Sequence, residues 1–517
     1  MNLPADATTA QLRRNVYWIL IAASAAVMIG RILAVDAVDK RGEEKVLIDL
    51  MRKDLAEKRE VLKKQGLSPE QIAEQMRAPE ESWKKRLEVR RPFLSANDRS
   101  RWCTVRALVE PEMRVEGFPY AIDKVVTPLW DTIDKVKHDG HLYSSKPPLL
   151  ATLMAGPYWV IHRLTGATLA THPYAIGRFM LILVNVLPLV VCLWLLSRLV
   201  ERLGTTDWGR IFVMAAAAFG TFLTTFAVVI NNHAIASVSC LVAVYAGVRI
   251  WFDAERRWHY FAMAGLFAAF AAANELPALS LFAALTAALL WKAPRQTLVA
   301  YVPAAAVVVA AFFATNWIAH GSLRPPYAHR NVSDPSDNWY AFSYTRPGEK
   351  REILSYWHPE KRADMSTIDR GEPSGAVYAL HTLVGHHGIF SLTPVWILSL
   401  VGLAQWLVMP GDRRLRELAV LIGAVSLASL VFYIGVVGER DRNYGGMTSG
   451  FRWVFWLAPL WLLAMTPAVD VLAKHALARS LALAMLALSA LSASYPTWNP
   501  WTQPWLYDLF NWLGWMS

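Results

Sequence analysis

An all-α, multi-pass membrane protein is the fold class this sequence predicts, on three observations. Hydrophobic residues fill 55% of the 517 positions and charged residues only 18%, against roughly 25% charged in soluble domains. Apolar runs of roughly 20 residues, the length a helix needs to cross the hydrocarbon core, recur along the chain. Basic residues gather in alternate loops between those runs. Three cysteines cannot staple a chain of this length, which excludes a disulfide scaffold. Its apolar content excludes disorder over most of its length.

About eleven transmembrane helices are predicted, near 15–35, 175–197, 210–230, 233–250, 259–273, 276–291, 297–318, 389–409, 417–437, 453–469 and 477–494. The first, within 1–35, reads as a retained N-terminal anchor. Its apolar stretch is too long for a leader's apolar region, and no small-residue cleavage site follows.

Residues 36–146 form a long first outer loop. Within it, 40–92 is roughly half charged, with Leu and Ile at three- and four-residue spacing. The spacing predicts a helical hairpin broken near Gly66-Leu67-Ser68-Pro69. It reads as a solvated insertion packed on the membrane domain, with a partner-binding coiled coil as the alternative. Segment 93–146 mixes carboxylates, arginines and aromatics. Next, 147–163 is apolar but short and opens on Pro147-Pro148, so it is expected to lie in the interface. Membrane helices fill 164–318 and 389–494, a second outer loop spans 319–388, and 495–517 is an outer interfacial tail.

The positive-inside rule sets the orientation. With Arg13 and Arg14 inside, the inside loops carry Arg198, Arg202 and Arg210; Arg249, Arg256 and Arg257; Lys292 and Arg295; Arg413, Arg414 and Arg416; Lys474 and Arg479. Counting 147–163 as a span would turn every later cluster outward. The net charge of +11 therefore reads mainly as helix orientation. It is not gathered in a stripe, so no nucleic acid partner is expected.

Polar groups at span ends are expensive and need individual readings. Asn231-Asn232-His233, Asn274-Glu275, His386-His387, Asn443-Tyr444 and Arg452 all fall on the outer side, with Asp98 and Lys146. Each has a plain alternative. A histidine at a helix end is usually structural, Glu275 suits a helix N-terminus, and Arg452 suits snorkelling. Their one-sided clustering points instead to a site facing the outer compartment. Cys103 is expected outside and Cys192 and Cys240 within spans, so no disulfide is expected.

These blocks carry a resemblance. Asn97-Asp98-Arg99-Ser100-Arg101, Tyr143-Ser144-Ser145-Lys146-Pro147-Pro148, Asn232-His233, Gly385-His386-His387-Gly388, and Gly445-Gly446 with Arg452 resemble the C-type (GT-C) membrane glycosyltransferases. Within them, the chain is most similar to bacterial relatives of protein O-mannosyltransferases and lipid A aminoarabinose transferases. The likeness in architecture covers nearly the whole chain, but the insertion 40–92 departs from the usual shorter first loop.

The resemblance implies a polyprenyl-phosphate-linked sugar donor, an acceptor (lipid, glycan or protein) at the outer face, and a setting in the lipid bilayer of a bacterial inner membrane. It also implies a GT-C-like fold with outer-face juxtamembrane helices. By the same token Asp98 is the expected general base, with Asp131, Asp134 and Asp139 as rivals. Lys146, Arg101 and Arg452 are the expected phosphate ligands. Tyr143, Asn232, His233, Glu275, His386, His387 and Tyr444 are the expected substrate-binding residues.

Asn97 stands where some members carry a second acid, which tells against an acidic-pair metal site. A divalent metal is left open, but no metal ligand is assigned, because no recognised ligand spacing is present.

The chemistry suits those residue types. A carboxylate shielded from water is raised toward useful basicity, and fixed cations favour a leaving phosphate. The alternative function is a transporter or flippase for a lipid-linked or polar solute. Transporters usually show internal repeats and broken helices at mid-membrane; no repeat is evident here, and the polar residues gather at one face rather than at the midplane.

Overall fold

The computed structural model describes residues 5–35, 40–88, 93–331, 333–363, 368–409 and 411–515. Residues 1–4 of the expected anchor, 36–39 and 89–92 of the first outer loop, 332 and 364–367 of the second, and 516–517 of the tail lie outside them.

The chain is predominantly helical, with two short antiparallel hairpins among the described residues. Among the described residues seven helices are long and apolar enough to cross a membrane: Thr8–Ala34, Pro173–Leu203, Asp207–Val228, Asn232–Phe252, Pro294–His320, Arg413–Val436 and Ala476–Ser494. The pair Arg452–Ala464 and Thr466–Leu472, bent by 46°, passes the same measure when taken together, as a broken span or a re-entrant loop. Pro467 lies at the start of its second half, where the ring removes a backbone donor and favours a kink.

The other three of the eleven expected spans form helices too short to pass by length. Leu276–Lys292 and Trp396–Val408 are apolar but shorter, and Trp258–Asn274 runs for only 17 residues. Apolar composition is legible in sequence, whereas where each helix stops is set by its caps and neighbours. The stretch expected at the interface is a helix, Pro148–Thr165, and it is not among those that pass as spans.

The insertion forms the expected hairpin, Lys40–Lys64 and Pro69–Glu88. Its turn follows local chemistry. Gly66 takes φ +76°, and Ser68 and Gln71 exchange reciprocal bonds at 3.0 and 3.3 Å, a capping box with Pro at the first helical position. Trp83 donates to Asp54 across the hairpin at 2.7 Å.

Two ends of the bundle can be told apart. At one, Arg13 bonds Glu201 at 2.6 Å and pairs with Asp207, and Arg249 pairs with Asp253 at 2.7 Å. There too Arg414 donates to the Phe252 carbonyl at 2.9 Å. These are the basic loops of the sequence. At the other end Arg178 donates to the carbonyls of Leu33 and Val35, and the helix Ala96–Val109 packs on Pro148–Thr165.

That helix is capped by Ser95, whose hydroxyl accepts from Asp98 N at 3.1 Å. It is stitched to the hairpin Lys135–His138/His141–Ser144, whose turn is Asp139-Gly140. Both turn residues take positive φ, +47° and +84°, as a two-residue hairpin of this hand requires. Ser100 bonds the Asp134 carbonyl and Ser144, each at 2.6 Å. Thr132 donates to the Ala96 carbonyl at 2.6 Å. These bonds hold Arg101 and Lys146 in a fixed relation, although 45 positions separate them.

Candidate active site

A cavity of about 500 Å³ opens at this second end. Arg101, Lys146, Asn232, His233, Glu275 and Arg452, all expected in the site, line it together. The spans deliver them by their ends. Asn232 and His233 open Asn232–Phe252 behind the Asn231 cap, which accepts from Ala234 N at 2.9 Å. Glu275 follows Trp258–Asn274, and Arg452 opens the bent pair.

The polar wall is one connected network. Arg101 Nη1 donates to Asn97 Oδ1 at 2.6 Å and its Nη2 to Asn232 Oδ1 at 2.9 Å. Asn232 Nδ2 donates to Glu275 Oε1 at 2.5 Å and to the Asn274 carbonyl at 3.0 Å. Tyr433 donates to Glu275 Oε2 at 2.6 Å, and Nδ1 of His233 lies against Oε1 of the same carboxylate. On its other side, His233 Nε2 accepts from Arg452 Nη1 at 2.7 Å. Arg452 Nε donates to the Gly445 carbonyl at 2.7 Å, and its guanidinium sits 5.1 Å from the Trp501 ring centre.

Across the cavity Lys146 pairs with Asp134 at 3.1 Å, and Arg330 pairs with Asp441 at 2.7 Å. The remaining wall is largely apolar, with Leu149, Leu150, Leu276, Phe432 and Val437.

Burial pushes the Arg101 guanidinium down to about 10, with Asp134 and Asp98 opposing, so it stays charged at neutral pH. Lys146 is also lowered by burial, against the pull of Asp134. Four cations thus face or approach one cavity, with Asp134, Glu275 and Asp441 as the nearby carboxylates. Such a surplus of positive charge in a half-apolar pocket suits an amphipathic anion.

Asp98 does not line the cavity. It is fully buried one helical turn before Arg101. Its Oδ1 accepts from Trp102 Nε1 and Ile230 N, both at 2.9 Å, whereas Oδ2 has no partner. Burial pushes its carboxyl up to about 7, although the Ile230 N–H, Arg101 and Trp102 pull it back.

The rival carboxylates are engaged or outlying. Asp131 is held by Lys135 at 2.6 Å, Arg346 at 2.9 Å and Tyr344 at 2.8 Å. Asp134 is held by Lys146. Asp139 sits exposed at the hairpin turn.

Four of the expected substrate-binding residues also lie away from the cavity wall. Tyr143 is buried in an aromatic cluster with Tyr120, Trp339 and Tyr340. His386, His387 and Tyr444 form another. There His386 stacks on His381 at 4.0 Å and His387 on Tyr444 at 4.7 Å. Burial holds His386 down at about 3 and His387 well below the usual imidazole range, so both are neutral. The chain neighbour of Tyr444, Gly445, accepts from Arg452.

Sequence reasoning did not single out Tyr433, Tyr327, Arg330 or Asp441. Tyr433 lies inside an apolar run and gives no signal of its own. Arg330 sits in the Pro-, Tyr- and Arg-rich start of the second outer loop, a texture that marks a contact region without naming the residue.

Among the described residues no group of three or more His, Cys, Asp or Glu is arranged to hold a metal ion. At the first-loop acid position Asn97 spends its amide oxygen on Arg101, and Asp98 faces no second carboxylate donor there. The residues present do not fit an acidic-pair metal site.

No family model and no curated protein matches the chain. Among solved structures it is similar to an oligosaccharyltransferase of Archaeoglobus fulgidus crystallised with Zn and sulfate, at 15% identity and a TM-score of 0.40, covering 81% of this chain and 55% of that one. It is also similar to the archaeal oligosaccharyltransferase AglB of Archaeoglobus fulgidus in complex with an inhibitory peptide and a dolichol-phosphate. That match has 14% identity and a TM-score of 0.32, covering 82% of this chain and 58% of the other. The chain spans little more than half the length of these structures.

Proposed function

We propose that this protein is a membrane glycosyltransferase. In this reading it moves a sugar from a polyprenyl-phosphate donor to a lipid, glycan or protein acceptor at the outer face of a bacterial inner membrane. The observation that carries the reading is the convergence of Arg101, Lys146 and Arg452 on one cavity with a half-apolar wall, at the end of the apolar helices. A lipid-linked phosphate is both anionic and apolar, and it reaches a site at the bilayer surface without leaving the membrane. The cavity lies opposite the basic loops, which supports the outer-face assignment by the positive-inside rule.

In the transfer, the bond between the sugar's anomeric carbon and the phosphate oxygen breaks with its electron pair left on the phosphate. The acceptor hydroxyl oxygen bonds that carbon, and its proton goes to a base. Charge grows on the departing phosphate, where the fixed cations help most. Arginine suits a two-point grip and lysine a compact charge. We assign the proton to Asp98, supported by its unpartnered Oδ2 and its carboxyl near 7, in the range a base working at neutral pH needs. Since Asp98 is buried behind the cavity wall, the role requires the first turn of Ala96–Val109 to open toward bound acceptor. Tyr143, His386, His387 and Tyr444 are assigned to the surroundings of bound substrate through the loops they brace.

The test is transfer of a radiolabelled sugar from a polyprenyl-phosphate donor by the purified chain in liposomes, alongside a donor-translocation assay. Transfer abolished by Lys146→Ala with Arg452→Ala supports the reading. Translocation without transfer supports the transporter instead.

A further inference from the structure

His233 and Arg452 meet across 219 positions of sequence, and the chemistry of that meeting has one solution. A guanidinium carries only donors, so His233 Nε2 must present its lone pair to Arg452 Nη1. The imidazole is therefore neutral with its proton on Nδ1, which faces the Glu275 carboxylate. Glu275 is itself locked by Asn232 and Tyr433. All three, Glu275, His233 and Arg452, line the cavity. The other charged and titratable groups around His233 are Arg101, hydrogen-bonded to its neighbour Asn232, and Tyr433 on Glu275.

We propose that His233, oriented by Glu275, is the positioning residue that aims Arg452 at the donor phosphate. The inference rests on the proposed lipid-phosphate reading of the cavity. Arg452 is held at Nε by the Gly445 carbonyl, at Nη1 by His233 and on its face by Trp501. That leaves Nη2 to meet an anion. An arginine fixed at two nitrogens loses little freedom on binding, so its grip is stronger than that of a free side chain. Glu275 acts one step further back, fixing the tautomer that lets His233 accept.

The experiment is a double-mutant cycle on the full chain in detergent. The probe is a short-chain isoprenyl methyl phosphodiester, a monoanion over the working pH range. Arg452→Ala is expected to weaken binding by about tenfold or more, and His233→Leu by about tenfold, the scale of a lost charge-assisted hydrogen bond. The double variant binds no worse than Arg452→Ala alone, because His233 works only through Arg452. His233→Gln, which keeps an acceptor oxygen, recovers most of what His233→Leu loses.

Losses that multiply in the double variant, or a His233→Leu chain that binds like the native one, overturn the positioning role and leave the cationic grip standing. Native affinity in Arg452→Ala overturns both. Thermal melts of each variant separate lost binding from lost fold.

Discussion

Arg101 Nη2 donates to Asn232 Oδ1 at 2.9 Å, a bond between residues 131 positions apart. It ties the helix of the first outer loop to the mouth of a membrane span. Asn232 passes the connection on through Nδ2 to Glu275. The amide is suited to this place because it accepts from a cation on one side and donates to an anion on the other.

Asn232→Asp breaks that logic. The new carboxylate pairs with Arg101 but stands against Glu275, so a buried like-charge contact replaces a hydrogen bond. The variant is expected to lose on the order of 1–3 kcal/mol of stability and to bind the phosphodiester probe about tenfold more weakly, since Arg101 is now neutralised. Thermal melts and probe titration check the two effects separately.

Asp98 sets a pH dependence whose sign can be worked out. Burial raises its carboxyl to about 7 in the folded chain, against about 3.9 when unfolded. Between those values the folded state holds the extra proton, so stability falls as pH rises from about 4 to about 7 and levels off above. In the proposed mechanism transfer needs the carboxylate, so its rate is expected to rise through about pH 7.

In Asp98→Asn, Oδ1 still accepts from Trp102 and Ile230. That variant should lose this pH step in stability while transfer drops by roughly 10²–10⁴. Native transfer rates in Asp98→Asn would remove the residue from the chemistry.

Lys146 and Asp134 make opposite predictions from one ion pair. Lys146→Ala removes a cation from the cavity and leaves Asp134 to repel an incoming phosphate, so probe affinity should fall by about tenfold or more. Asp134→Asn releases Lys146 from its competitor and is expected to raise affinity severalfold. Equal losses in both variants would show that the pair serves the fold alone.

Gly402 tests the packing of the spans. A Cβ there would overlap the Ala464 carbonyl oxygen on the facing helix, and a backbone atom cannot turn aside. Gly402→Ala is expected to cost about 1–3 kcal/mol, the range for overpacked cores, with probe affinity unchanged in the protein that folds. Differential scanning fluorimetry with binding on the folded fraction reads both.

Much of this architecture was open to reading because it is local. The hairpin turn at Gly66-Leu67-Ser68-Pro69, the Asp139-Gly140 turn and the apolar runs each follow from neighbouring residues. So does the grouping of Arg101, Lys146, Asn232, His233, Glu275 and Arg452, because all sit in the first outer loop or at span ends on one side of the alternation. The helix count was less legible. A run of apolar residues shows that a helix is buried in something, while the length of Trp396–Val408 or Leu276–Lys292 depends on what caps and packs against it.

From the sequence alone came the membrane class, the basic and polar ends, and six of the residues that line the cavity. Those follow from composition, period and charge, which act over one helix at a time. Only the tertiary structure decided that Asp98 lies behind the wall, that His386 and His387 belong to an aromatic cluster, and that Tyr433 and Arg330 complete the site. It alone joined His233 to Arg452 and both to Glu275. Burial, pairing and tautomer are properties of a residue's neighbours in space, and those neighbours come from segments that sequence order keeps far apart.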